Sequence, residues 1–225
     1  MELTKEQVLQ IDNYISSCGI KYYDVRTEII DHFANILENK LEENPNLDFK
    51  KEIITIHKNF SDKGFYKLLK EKRKSVERLF YKSTFKHLVS FFKLPKIIIS
   101  SALFYVLFLI MKLFINKEHF FQILVGFGMF IMIQLFVRIL IRKKQNKQQF
   151  LSLEKTDTFL QIINFLFILF NTTLNFRQDK SFLNDSLNLI HLAFFVLLLL
   201  FYWSGEYVYY QNKKEVKKQY PNVIV

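Results

Sequence analysis

Residues 97–115 read IIISSALFYVLFLIMKLFI, an apolar run whose only charge, Lys112, falls near its end. An α-helix rises about 1.5 Å per residue, so about 20 such residues cross the roughly 30 Å hydrocarbon core of a bilayer. Three more stretches share this character. They are 120–141, FFQILVGFGMFIMIQLFVRILI; 158–176, TFLQIINFLFILFNTTLNF; and 182–203, which ends LIHLAFFVLLLLFYW. One run of this kind fits the core of a soluble protein. Four between residues 97 and 203 do not, because too few polar residues remain to cover them with a wetted surface. The fold class expected is all-α: a small cytoplasmic helical bundle followed by four transmembrane helices.

Working outward, the composition changes sharply at the first run. The chain has 225 residues, half of them hydrophobic and 17% aromatic, with 26 Phe. Residues 1–96 are mixed and charged. The expected division is a three-helix domain over 1–65, a basic amphipathic juxtamembrane helix over 66–96, the membrane helices over 97–203 and a basic tail over 204–225. The first 20 residues carry Glu2, Lys5, Glu6 and Asp12 and lack the apolar core of a secretory signal, so the first span is expected to direct insertion.

The net charge is +11, from 32 basic and 21 acidic side chains. Such a balance suits nucleic acid or an anionic leaflet. The basic residues gather at the ends of the apolar runs, and no helix-turn-helix or stacking platform is present, so a bilayer with an anionic leaflet is the expected partner and direct nucleic-acid binding is not. Cys18 is the lone cysteine, which excludes an intramolecular disulfide and a cysteine zinc cluster. The five glycines, at 19, 64, 126, 128 and 205, build neither a phosphate loop nor a dinucleotide turn. With no nucleophile elbow and no His-Glu-x-x-His, the expectation is a non-enzyme without cofactor.

Cytoplasmic flanks of spans are enriched in Lys and Arg. Lys70, Lys72, Arg73, Lys74, Arg78, Lys82, Lys86, Lys93 and Lys96 precede the first span. Arg138, Arg142, Lys143, Lys144, Lys147 and Lys155 surround the second connection, and Lys213, Lys214, Lys217 and Lys218 lie in the tail. The first and third connections hold only Lys117, Arg177 and Lys180, offset by Glu118, Asp179 and Asp185. With four spans, every basic region falls on one side, so both termini are expected in the cytoplasm of a cell whose inner membrane holds the chain. Tyr202, Trp203, Tyr207, Tyr209 and Tyr210 read as an aromatic belt at the headgroup level.

In the N-terminal region, Thr4 and Gln7 form a capping-box pattern ahead of Val8, Ile11 and Ile15, and Gly19 suits a C-terminal cap. Asp24 is placed to cap a second helix whose Val25, Ile29, His32, Phe33, Ile36 and Leu41 share one face. Asn44-Pro45-Asn46 breaks it. Asp48 opens a third helix with Phe49, Ile53, Ile56 and Phe60; Ser61–Gly64 reads as a turn before a last helix from about Phe65.

Gly19-Ile20-Lys21-Tyr22, then Glu28-Ile29-Ile30-Asp31-His32, then Glu38 resemble the Glu-x-x-Asp-His helix of HAAS-type domains, over about residues 4–65. Those domains precede membrane helices in bacterial proteins, often beside PadR-type transcriptional regulators. The resemblance implies a cytoplasmic signalling or docking module with a PadR-like regulator as partner, and a docking patch at Glu28, Asp31, His32 and Glu38.

Glu28 and His32, with His57 approaching from the third helix, fall short of the three or four converging ligands zinc needs, so no metal site is expected. Gln134, Gln161, Asn164, Asn171 and His191 lie inside the spans, where they are expected to bind helix to helix by hydrogen bonds. Lys112 and Arg138, near span ends, are expected to snorkel to the interface, and Gly126 and Gly128 to permit close packing. Arg73, Lys74, Arg78, Lys82 and Lys86, interleaved with Leu79, Phe80 and Phe85, read as a lipid-surface helix.

The function expected is therefore a multi-pass membrane protein with a cytoplasmic regulatory or protein-docking domain, the alternative being a small transporter or channel subunit. Reporter fusions at Glu118, Gln148, Lys180 and Val225 should read outside, inside, outside and inside. An outside signal at Gln148 overturns the four-span topology.

Overall fold

A computed structural model describes residues 2–60, 64–145, 148–177 and 182–221. Among the described residues the fold is all-helical, with eight helices: α1 (Lys5–Ser17), α2 (Tyr23–Glu43), α3 (Phe49–Phe60), α4 (Gly64–Ser90), α5 (Lys96–Leu113), α6 (Lys117–Gln145), α7 (Leu151–Asn175) and α8 (Asp185–Gln219). Residues 61–63 of the expected turn lie outside the described residues. The chain divides into two compact units, one holding residues 2–79 and 148–154, the other 80–145 and 155–221.

In the first unit, both halves of the capping box are made. Gln7 N–H donates to Thr4 Oγ1 (3.3 Å) and Thr4 N–H to Gln7 Oε1 (2.8 Å), satisfying two donors that the first turn of α1 leaves open. Gly19 ends the helix with φ +89°, a conformation other residues adopt at a cost. On α2 the buried residues are Val25, Ile29, Phe33, Leu37 and Leu41, a stripe at steps of four. Leu37 was not singled out from the sequence. His32, expected near this face, is exposed instead, and Ile36 is partly buried.

Asp48 Oδ1 accepts from Lys51 N–H (3.2 Å) at the start of α3, and Ile53 and Ile56 point into the core. Phe65, on the first turn of α4, closes that core: it lies against Phe33 and its ring stacks on His57 at 4.2 Å. His57 also hydrogen-bonds the Tyr14 hydroxyl through Nδ1 (2.7 Å), so its place is in the α1–α3 packing, not beside Glu28 and His32. The core takes one residue from far along the chain, Leu151, 1% exposed. The unit is thus larger than the expected 1–65 domain, adding the first half of α4 and a segment from the second connection.

The second unit holds helices α5 to α8, four helices long and apolar enough to cross a membrane. Their inward faces carry Met111, Phe121, Leu124, Phe170, Leu192 and Phe195. Their outward faces are just as apolar: Ile98 is 63% exposed, Ile133 61% and Phe165 65%. Water would penalise such a surface, and hydrocarbon does not. The helix ends are satisfied by polar side chains. Lys117 Nζ donates to the carbonyls of Met111 (3.0 Å) and Phe114 (2.6 Å) at the end of α5, and Asn184 Oδ1 accepts from Leu187 N–H (3.2 Å) at the start of α8. The expected tail is not a separate segment. α8 continues unbroken to Gln219, because Gly205 sits in mid-helix without interrupting it.

Gly205 serves packing. A Cβ there would meet the ring of Phe159 at 1.9 Å, and one at Gly128 would meet Phe167 at 1.8 Å, so α7 presses a ring against each glycine. Gly126, read from the sequence as a second close-packing site, has nothing within 4 Å of such a Cβ. Gly205→Ala should therefore destabilise the detergent-solubilised protein by about 1–3 kcal/mol, the cost of overpacking. Gly126→Ala should be neutral or stabilising by up to about 1 kcal/mol through helix propensity. Thermal unfolding of both variants against the parent checks this, and equal midpoints for the two would contradict it.

Candidate functional site

The most specific polar arrangement lies in the first unit, around residues 148–154. Asp24 lies on the first turn of α2, whose N-cap Tyr22 makes no side-chain cap, and its Oδ1 accepts from Val25 N–H (3.1 Å) in its own helix. Its carboxylate also accepts from Leu151 N–H (Oδ1, 3.0 Å) and Ser152 N–H (Oδ2, 3.3 Å), the open donors at the start of α7. A negative charge there also meets the positive end of the helix dipole. Burial pushes the Asp24 carboxyl above its ordinary pKa, and the N–H bonds from Leu151, Ser152 and Val25 oppose that push.

Neighbouring groups hold the same segment. Tyr23 N–H donates to the Gln149 carbonyl (2.7 Å), and Arg26 Nη2 to Gln148 Oε1 (3.0 Å). Arg26 is fixed in turn by Asp12 at 2.9 Å. The Tyr22 hydroxyl accepts from Arg73 Nη2 (2.7 Å). These contacts, with Leu151 in the core, build the approach to the third span into the N-terminal helical unit.

The expected docking patch separates into two kinds of residue. Glu28 pairs with Lys72 at 2.6 Å, and Glu38 accepts from Leu3 N–H (3.0 Å). Asp31 and His32 are exposed on the same helix. Among the described residues no three His, Cys, Asp or Glu side chains gather as metal ligands.

Of the expected lipid-surface residues, Arg73 turns back onto Tyr22, its guanidinium 5.3 Å from the ring centre. Lys74, Arg78, Lys82 and Lys86 are exposed at intervals of four along α4. At 3.6 residues per turn they form one row, flanked by exposed Leu79 and Phe85.

The polar groups of the spans depart from expectation. Gln134, Gln161 and Asn164 are exposed on the bundle surface and Asn171 is half-buried. His191 hydrogen-bonds the Leu187 carbonyl of its own helix (2.8 Å). Among the described residues none of them makes a side-chain hydrogen bond to another helix. Polar links between helices come from other groups. Arg138 on α6 does not snorkel: it meets Glu206 on α8 in a bidentate pair (2.5 and 2.6 Å), with its guanidinium 4.8 Å from the Tyr209 ring centre. At the other end of the bundle, Arg177 Nη2 donates to Asn188 Oδ1 (2.7 Å), and the fully buried Asn188 donates to the Phe182 carbonyl (2.8 Å). The sequence signal for the first pair was available: a lone Arg inside an apolar run, and a lone Glu one turn beyond another.

Four apolar helices, outward faces included, give the chain the architecture of a multi-pass membrane protein. No family model, curated protein or solved structure matches it.

Removing the trans cap should loosen the second connection. Asp24→Ala is expected to cost about 1 kcal/mol, as for other helix N-caps, and to speed hydrogen exchange at Leu151 and Ser152 about fivefold. Asp24→Asn, which keeps one acceptor, should fall between parent and Asp24→Ala. Unchanged exchange at both amides would show that the cap carries no weight.

Proposed function

We propose that this chain is a regulatory membrane protein of the cell membrane, with both termini cytoplasmic and its N-terminal helical unit serving as a protein-docking module. The observation that carries this reading is the incorporation of residues 148–154 into that unit. It ties the N-terminal helices to the second connection, so both lie on one face of the membrane, the arrangement that four spans and the basic flanks require. It also brings the first turn of α7, residues 151–154, into the unit.

Asp31 and His32 offer the exposed polar surface for a partner, and the resemblance to HAAS-type domains makes a PadR-like regulator the protein class to test. The basic row Lys74, Arg78, Lys82 and Lys86, beside exposed Leu79 and Phe85, suits an anionic leaflet, with ammonium and guanidinium groups at the phosphates and apolar side chains at the acyl boundary. In this reading regulation proceeds by binding.

A photo-crosslinking residue in place of Asp31 in the full-length chain should give a discrete adduct with a cytoplasmic protein. The same residue in place of Lys58, exposed on α3, should give none. No adduct at Asp31, or equal adducts at both positions, would remove the docking function from α2.

A further inference from the structure

The amides of α7 form a row of their own, whose last two members, Asn171 and Asn175, also border a cleft beside Gln122 of α6 in the same chain. The buried residues of this helix are Phe159, Ile163, Phe167, Phe170 and Leu174, one face at steps of three and four. Gln161, Asn164, Ile168, Asn171 and Asn175 run along the other side, separated by three, four, three and four residues. This is the a/d spacing of a helix–helix seam. At 100° per residue the five positions span about 80° of the helix surface. Gln161, Asn164, Ile168 and Asn175 are exposed and Asn171 is half-buried. None of the four amides makes a side-chain hydrogen bond to another described residue.

Hydrocarbon supplies no hydrogen-bonding partner, so amides on the surface of a span call for partners from another helix. Asn164 lies about 9 Å into the apolar stretch that starts at Thr158, and Asn171 about 20 Å, at 1.5 Å per residue. Both are within the membrane rather than at one edge.

We propose that this seam is the interface of a homodimer, in which α7 of one copy packs in parallel against α7 of a second copy. This inference rests on the membrane-spanning reading above. The occupant follows from the chemistry of the side chains. Two copies inserted in the same orientation meet about a two-fold axis along the membrane normal, so each seam residue faces its own counterpart. A charged side chain there would meet its own charge. An amide carries both donors and an acceptor and pairs with itself. Four amides at the seam positions, with one Ile and no charged group, are what self-pairing requires. Asn at such positions also fixes register and oligomeric state.

The test uses the full-length chain in membranes, in a Cys18→Ser background that removes the only native thiol. Asn164→Cys and Ile168→Cys should each cross-link with a short bis-maleimide to a species of twice the chain mass. Phe136→Cys, exposed on α6, should not. In detergent, Gln161→Leu with Asn164→Leu should weaken dimerisation at least tenfold without lowering membrane insertion. A monomer at all concentrations, equal cross-linking at Asn164 and Phe136, a dimer indifferent to the double substitution, or an adduct of another mass each overturns the inference. Alkaline carbonate extraction separates the two claims. A chain that washes out of the membrane removes the spanning reading and the seam together; a chain that stays inserted but does not cross-link removes the seam alone.

Discussion

Hydrocarbon offers no partner to a peptide N–H or C=O, and the arrangement of α5 to α8 follows from that constraint. Each span is a helix because a helix satisfies its own backbone. What remain are four open N–H donors at the start of each helix and four open carbonyls at its end, and some of these are met by nearby groups: Lys117 on the carbonyls of Met111 and Phe114, Asn184 on Leu187, and Asp24 on Leu151 and Ser152. The same constraint governs side chains. Arg138 is tolerable near the membrane because Glu206 takes both arms of its fork, and an ion pair of this geometry loses little of its attraction to water.

The first unit is built around a single apolar core. Its core rests on the α2 stripe from Val25 to Leu41, against which Ile11, Ile15, Ile53, Ile56 and Phe65 pack. Each such side chain contributes about 1.5–3 kcal/mol of transfer free energy when fully buried, and a small domain retains only a few kcal/mol after conformational entropy is met. Leu151 is therefore more than an accessory. By giving this residue to the core, the second connection adds stability to the unit, and the unit holds the connection in place.

What the sequence disclosed divides along the range of the interactions. The capping box at Thr4 and Gln7, the stop at Gly19, the break at Asn44-Pro45 and the Asp48 cap are local, and each was legible because its partners lie within four residues. The four spans were legible because length and apolarity suffice. Asp24 reads from the sequence as a cap for α2 alone because a local rule places an N-cap beside its own first turn, whereas two of the N–H groups that donate to its carboxylate lie 127 and 128 residues away. Arg138 reads from the sequence as a snorkelling charge for a related reason, and only the packing of α6 on α8 pairs it with Glu206. The outward aspect of Gln161 and Asn164 was hidden because polarity in a span implies burial, and that implication holds for an assembly more often than for one chain.

Helix α7 is where these threads meet. Its first turn is capped by Asp24 and anchored by Leu151 in the N-terminal unit. Its middle carries Phe159 and Phe167 against the two glycines of α8 and α6. Its outer side carries the amide row. A displacement at α2 that moves Asp24 must either break the cap or carry the first turn of α7, residues 151–154, with it, and breaking the cap exposes two amide donors beside a partly buried carboxylate.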